Sequence, residues 1–246
     1  MADPAALDFL IALLFCGGFG FVAYGMRVLD VTGSVLAFAM ALVIVISPGG
    51  YLWLLLLIGF VGFGFLVTKL FWSKKVAMGV AEGKKGVRGW RNVAANGLVP
   101  AIMALLAFWV PEEKVLIGFV AAIATASSDT FASELGVLSN RVYLLIKPWK
   151  KVPRGTNGGV SNWGHSMALV GAIIPSVVAI PLVGLPWTMV WIPIVAGWLG
   201  CQVDSVLGWL FEEERGTAIS LLTKSDVNFL SIAIAGFAVL VVVVSA

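Results

Sequence analysis

A chain of 246 residues that is 60% hydrophobic and only 12% charged has too little polar surface to clothe a soluble globule, since ordinary soluble domains are about a quarter charged. A mean hydropathy of +1.02 agrees, and lipid is the expected solvent for most of the surface. No nucleic-acid partner is expected.

A helix crossing roughly 30 Å of hydrocarbon needs about 20 apolar residues. In chain order the apolar runs are 7–25, 31–47, 51–72, 94–110, 115–128, 166–184, 188–210 and 228–245. They predict an all-α, polytopic membrane helix bundle of about eight spans in one domain, 1–246. The short run 115–128 is expected to continue as a helix through Leu138, buried among its neighbours, so seven spans are also possible. The first run has no basic flank and has Asp3 and Asp8 near its start, which argues against a cleaved leader. Cys16 and Cys201 fall inside apolar runs at no metal-ligand spacing and read as buried free thiols.

With the N-terminus outside, all 16 basic residues except Lys114 fall in inner loops or at their edges. These loops lie near 73–92, 129–165 and 211–227, with Arg27 at the first inner turn. Such asymmetry is the positive-inside pattern, and it predicts both termini on the non-cytoplasmic side. Trp53, Trp72, Trp109, Trp187 and Trp191 sit at span ends as interfacial anchors would. The polar chemistry is therefore expected on the cytoplasmic face.

Five segments could carry that chemistry. In TASSDTFASELG (125–136), helical spacing puts Asp129 with Ser133 on one face and Thr130 with Glu134 on the next. Carboxylates at a bundle mouth suit a hard cation such as Mg²⁺, or Ser127 to Asp129 simply cap a helix. In VPRGTNGGVS (152–161), Pro153 stops a helix, and three glycines free the backbone to aim amides at an anion beside Lys151 and Arg154. The alternative is a plain Gly-rich turn. In QVDSVLG (202–208), Gln202 and Asp204 lie in an apolar span and require partners or water. In TKSDVN (223–228), an N-cap at Ser225, Asp226 or Asn228 is the simpler reading. In the loop 71–96, Arg88, Arg91, Asn92 and Asn96 run toward the same vestibule, while Lys69 at a span end can snorkel. Asp30 and Thr32 sit at the first inner turn, and the sole histidine, His165, reads as structural. Carboxylates, basic residues and a Gly-rich loop on one side of a bundle are the composition of a phosphate-plus-Mg²⁺ site.

The stretches SSDTFASELG (127–136), VPRGTNGGVS (152–161), DSVLG (204–208) and SDVNFLS (225–231) resemble motifs of the membrane family long labelled domain of unknown function 92. That family includes transmembrane protein 19 and the phytyl-phosphate kinase of vitamin E synthesis. The resemblance runs from Asp30 through VTGS (31–34) and RNVAANG (91–97) to the last span, with Phe131 where relatives often carry Trp. It implies a CTP-dependent prenyl-phosphate kinase, which moves the γ-phosphoryl group to an isoprenoid monophosphate such as phytyl phosphate. A phosphate acceptor is already anionic, so the burden falls on metal ions, basic residues and backbone amides rather than on a strong base. Asp129, Glu134 and Asp204 are expected to hold Mg²⁺. Lys151, Arg154 and the loop Gly155, Thr156, Asn157, Gly158, Gly159 and Ser161 are expected to grip the triphosphate. Asn96, Asp226 and Asn228 are further candidates for metal or base contacts. Two other functions remain open from the residues: a transporter or flippase of a phosphorylated lipid or small anion, and a membrane cytidylyltransferase.

Overall fold

The computed structural model describes residues 4–81, 87–212 and 221–245, with side chains from residue 7 onward. Lys84, Lys85 and Arg215 of the expected inner loops lie outside the described residues. The helices are α1 (Pro4–Gly25), α2 (Val31–Ile46), α3 (Gly50–Lys69), a short α4 (Trp72–Ala77), α5 (Trp90–Leu106), α6 (Glu112–Gly136), α7 (Asn162–Val183), α8 (Trp191–Phe211) and α9 (Lys224–Ser245). Each predicted apolar run falls in one of the long helices. Among the described residues, α1, α3, α6, α7, α8 with its preceding turn, and α9 are long and apolar enough to cross a membrane. That is six where about eight spans were expected. The shortfall has a physical cause: α2 is apolar but has 16 residues, and the 17 residues of α5 include Arg91, Asn92 and Asn96.

The outer helices turn large apolar side chains outward, as lipid contact requires: Leu14 is 68% exposed, Phe21 77% and Val242 66%. At the centre stands α6, in which every residue from 115 to 128 is buried. Lipid-embedded helices gain little from hydrophobic association, so close approach through small residues holds such a bundle together. A Cβ on Gly171 of α7 would meet the Ser127 carbonyl oxygen at 2.6 Å, and one on Gly200 of α8 would meet Thr125 Cγ2 at 2.5 Å. The Ser128 hydroxyl donates to the Ala168 carbonyl at 2.8 Å, tying α6 to α7 directly.

Two expectations are corrected here. Trp53 is not an interfacial anchor: it is 2% exposed, and its ring packs at 4.5 Å from Phe119 of α6. It sits in the first turn of α3, on the side facing the central helix. Trp109, Trp187 and Trp191 are exposed. The inner loop expected near 129–165 is shorter than that: α6 continues to Gly136, close to the helix expected through Leu138, and α7 begins at Asn162. Between them lie three short antiparallel strands, β1 (Tyr143–Leu144), β2 (Lys147–Lys151) and β3 (Gly159–Val160), in the order β2-β1-β3. Tyr143 pairs with Lys151 on one side and with Val160 on the other.

Candidate functional site

The geometry follows from one helix crossing. Gly200 of α8 packs on Thr125 of α6, and one turn further along each helix stand Asp204 and Asp129. Both carboxylates line one cleft. From α9, Asn228 donates its amide nitrogen to Asp129 Oδ2 at 3.2 Å, and the Ser231 hydroxyl donates to Asp204 Oδ2 at 2.9 Å. Ser231 also bonds to the Asn228 carbonyl at 3.0 Å, so the two carboxylates are joined through one turn of α9. Buried Asn228 Oδ1 is left without a hydrogen-bonding partner. An unpartnered buried acceptor is costly, and this one adds an oxygen donor beside the Asp129–Asp204 pair.

The Gly-rich loop forms the facing wall. Residues 155–161 all line the cleft with Asp129 and Asp204. Gly155 and Gly158 have φ of +75° and +71°, conformations that suit glycine. Gly158 also lies hard against α8, where a Cβ would sit 2.4 Å from Trp209 Cβ. Ser161 caps α7 by accepting from the Gly164 N–H at 3.0 Å, so the loop feeds into a capped helix N-terminus. Thr156 donates its hydroxyl to Pro153 O at 2.8 Å, bracing the turn. His165 lines the same cleft, and its ring lies between those of Tyr143 and Trp198.

A second chamber adjoins the first and shares Asp129, Ser133 and Lys224 with it. Its other walls include Thr68, Arg88, Asn92, Asn96, Glu134 and Asn228. Asn92 and Asn96, four residues apart on α5, share one face, and Arg88 joins them from the extended segment just before the helix, whereas Arg91 stacks on Trp90 with its Cζ 5.5 Å from the ring. The Arg88 backbone is fixed by the α1–α2 turn: its N–H donates to Val28 O at 3.0 Å, and its carbonyl accepts from Asp30 N at 3.1 Å. Gly64 leaves room for the guanidinium, since a Cβ there would lie 3.5 Å from Nη1.

Four expected site residues do different work. Glu134 lines the second chamber with Asp129 but not the cleft that holds Asp204. Its carboxylate pairs at 2.5 Å with Lys75, which is 1% exposed and also donates to Thr68 O at 2.7 Å. No group of three or more His, Cys, Asp or Glu side chains is arranged to hold a metal among the described residues, so the expected three-carboxylate set reduces to the Asp129–Asp204 pair with Asn228. Arg154 points at Met78 and Asn140 rather than into the cleft. Lys151 ends the exposed strand β2. Asp226 belongs to a helix cap: its Oδ2 accepts from the Thr223 N–H at 2.8 Å and hydroxyl at 2.7 Å, which makes Thr223 the capping residue. Lys75, Ser231 and Lys224 were not singled out from sequence. Lys75 reads there only as an inner-side basic residue, while Lys224 and Ser231 fall in the TKSDVN and SDVNFLS segments without drawing a role of their own.

These residues fall within the span matched by one family. The model of the integral membrane protein DUF92 family covers residues 14–236. The chain belongs to this family. An uncharacterized membrane protein of Methanocaldococcus jannaschii is 34% identical over 187 residues, 76% of this chain and 74% of the relative. One from Synechocystis is 29% identical over 196 residues, 78% of this chain and 76% of the relative. Protein VTE6, chloroplastic, of Arabidopsis thaliana is 28% identical over 176 residues, 70% of this chain but 52% of that protein. No solved structure matches. For a DUF92 chain, the two joined chambers are the natural place to look for function.

Proposed function

We propose that this DUF92 protein is a membrane phosphotransferase that moves the γ-phosphoryl group of a nucleoside triphosphate, CTP by the family resemblance, to an isoprenoid monophosphate. The observation that carries the reading is the pair of chambers meeting at Asp129, Ser133 and Lys224. In-line transfer between two polyanions needs two binding sites that share a charged junction. The chamber walled by residues 155–161 would take the triphosphate on backbone amides. The chamber walled by Arg88, Asn92 and Asn96 would take the acceptor phosphate.

Mg²⁺ fits the residues present, because Asp129 at the junction has Asp204 beside it in one chamber and Asn228, with its unpartnered Oδ1, in the other, all hard oxygen donors. Mg²⁺ commonly takes one or two carboxylates and leaves its other positions to water and phosphate. Bound there by Asp129, Asp204 and Asn228, it would neutralise charge on the phosphates being joined. Lys224, exposed at the junction one turn before Asn228 on α9, would add a cation there. The acceptor oxygen is already anionic, so no general base is required of the chain.

The test uses purified full-length protein in detergent or nanodiscs, Mg²⁺, prenyl monophosphates and CTP labelled at either the α or the γ position. Label passing from the γ position into lipid diphosphate is expected. Label passing from the α position would mean nucleotidyl transfer instead. Lack of turnover with every nucleotide would remove the kinase reading.

A further inference from the structure

Arg88, Asn92 and Asn96 line not only the polar chamber but also a third, apolar cavity enclosed by α1, α2, α3 and α5. Its other walls include Phe19, Met40, Ala41, Leu54, Leu57 and Phe60. The last five of these are nearly or wholly buried, so the deep wall of the cavity lies within the bundle rather than on its lipid-facing surface. It has a polar neck at one end, set by a clamped arginine, and hydrocarbon everywhere else. We infer that this cavity holds the hydrocarbon tail of a prenyl monophosphate, with the phosphate at Arg88 and the chain running between α2, α3 and α5 toward Leu54.

The inference rests on the phosphotransferase reading for the acceptor's identity, but its geometry stands separately. A guanidinium offers a phosphate a planar, bidentate donor set, and the Asn92 and Asn96 amides lie on the same helix face. Along α3, from Gly64 beside the Arg88 guanidinium to Leu54 in the cavity wall, the helix rises about 15 Å at 1.5 Å per residue. That depth suits a tail several isoprene units long and leaves a five-carbon chain touching only the neck. A second apolar groove between α8 and α9, lined by Trp191, Val195, Leu199 and Val242 among others, contains no charged residue to meet a headgroup. Bilayer lipid fills it equally well.

Two positions should set chain length. Ala41 is 2% exposed in the cavity wall, so Ala41→Phe puts a ring into the tail path. At Gly97 an added Cβ would lie 2.7 Å from Met40 Cε, so Gly97→Ala drives the flexible Met40 end into the cavity with far less added volume.

The decisive experiment labels the wild-type full chain with a farnesyl monophosphate carrying a photoreactive group at the tail terminus, and maps the adducts by mass spectrometry. Adducts at residues 37–61 of α2 and α3 are expected. The same protein, Ala41→Phe and Gly97→Ala are then assayed for binding of dimethylallyl, geranyl, farnesyl and geranylgeranyl monophosphates. Both variants should weaken the two longest chains at least tenfold while leaving dimethylallyl monophosphate within twofold of wild type. Adducts confined to α8 and α9, or equal losses across all four chain lengths, would overturn the tail cavity. Adducts in the cavity together with no turnover on any nucleotide would keep the cavity and reject the kinase. Turnover with adducts elsewhere would do the reverse.

Discussion

At the residue scale the largest stake is the Lys75–Glu134 pair. Both groups are buried, at 1% and 8% side-chain exposure, and removing one partner of a buried pair strands the other charge at a cost of about 3–5 kcal/mol. Glu134→Gln or Lys75→Met is therefore expected to lower the melting temperature in detergent sharply, and Lys75→Met with Glu134→Leu should recover most of the loss. If the single variants melt like wild type, the pair is not structural. Asp129 and Asp204 are expected to behave oppositely. Asp129→Asn or Asp204→Asn should cut γ-label transfer by about 10²–10³-fold, the scale set by losing one preorganised charge contact, with melting little changed. Asp30 titrates differently again. The Gly33 N–H and the Thr32 hydroxyl hold its carboxyl below the usual carboxylate range. A lowered folded value stabilises the folded state above the ordinary carboxylate range, and the benefit fades as pH falls through that lowered value. Asp30→Ala should therefore melt below wild type at neutral pH, and the gap should close in acid.

At the element scale, the contacts between helices explain what was legible beforehand. Hydropathy found every long helix, because a span is a local, composition-driven feature. Asp129 and Asp204 stood out as carboxylates in apolar runs, and the Gly-rich loop was recognisable from its glycines. Partners across elements were not legible. Lys75 meets Glu134 across 59 positions only because α4 folds back under the end of α3, and nothing local in WSKKVA announces that. KPWKK looked like a positively charged inner loop, yet it is strand β2, and its pairing with β1 leaves Lys151 exposed. Charge alone placed Lys151 and Arg154 on the triphosphate; the turn between strands directs Arg154 to Met78 and Asn140 instead. The glycine reading survived in a sharper form. Gly158→Ala combines a positive φ with a 2.4 Å clash against Trp209 Cβ, so it should displace the loop from α8. Nucleotide binding, measured by equilibrium dialysis of labelled CTP, is expected to fall while helical circular dichroism stays constant. Unchanged binding would mean that the loop does not touch the nucleotide.

At the scale of the whole molecule, the charge asymmetry predicts an orientation for the bundle, and that prediction is open to direct measurement. Cys16 and Cys201 are buried, so single cysteines introduced elsewhere report cleanly. With the inner loops on the cytoplasmic side, cysteine at Pro48 or Trp187 should react with an impermeant maleimide added to whole cells. Cysteine at Thr156 should react only after lysis, and the opposite pattern would invert the topology. The central position of α6 bears on a different process, the order in which the bundle is built. Residues 115–128 have no face suited to lipid contact in the finished protein, yet three of the helices that enclose them, α7, α8 and α9, are synthesised later. Newly inserted α6 must wait beside the insertion machinery, or exposed to lipid, until those three arrive. α9 brings Asn228 and Ser231 to the two carboxylates, so this later helix both seals α6 and completes the polar cluster. A chain stalled before α9 would present a half-wrapped helix whose acids lack Asn228 and Ser231, the kind of surface that membrane quality control removes.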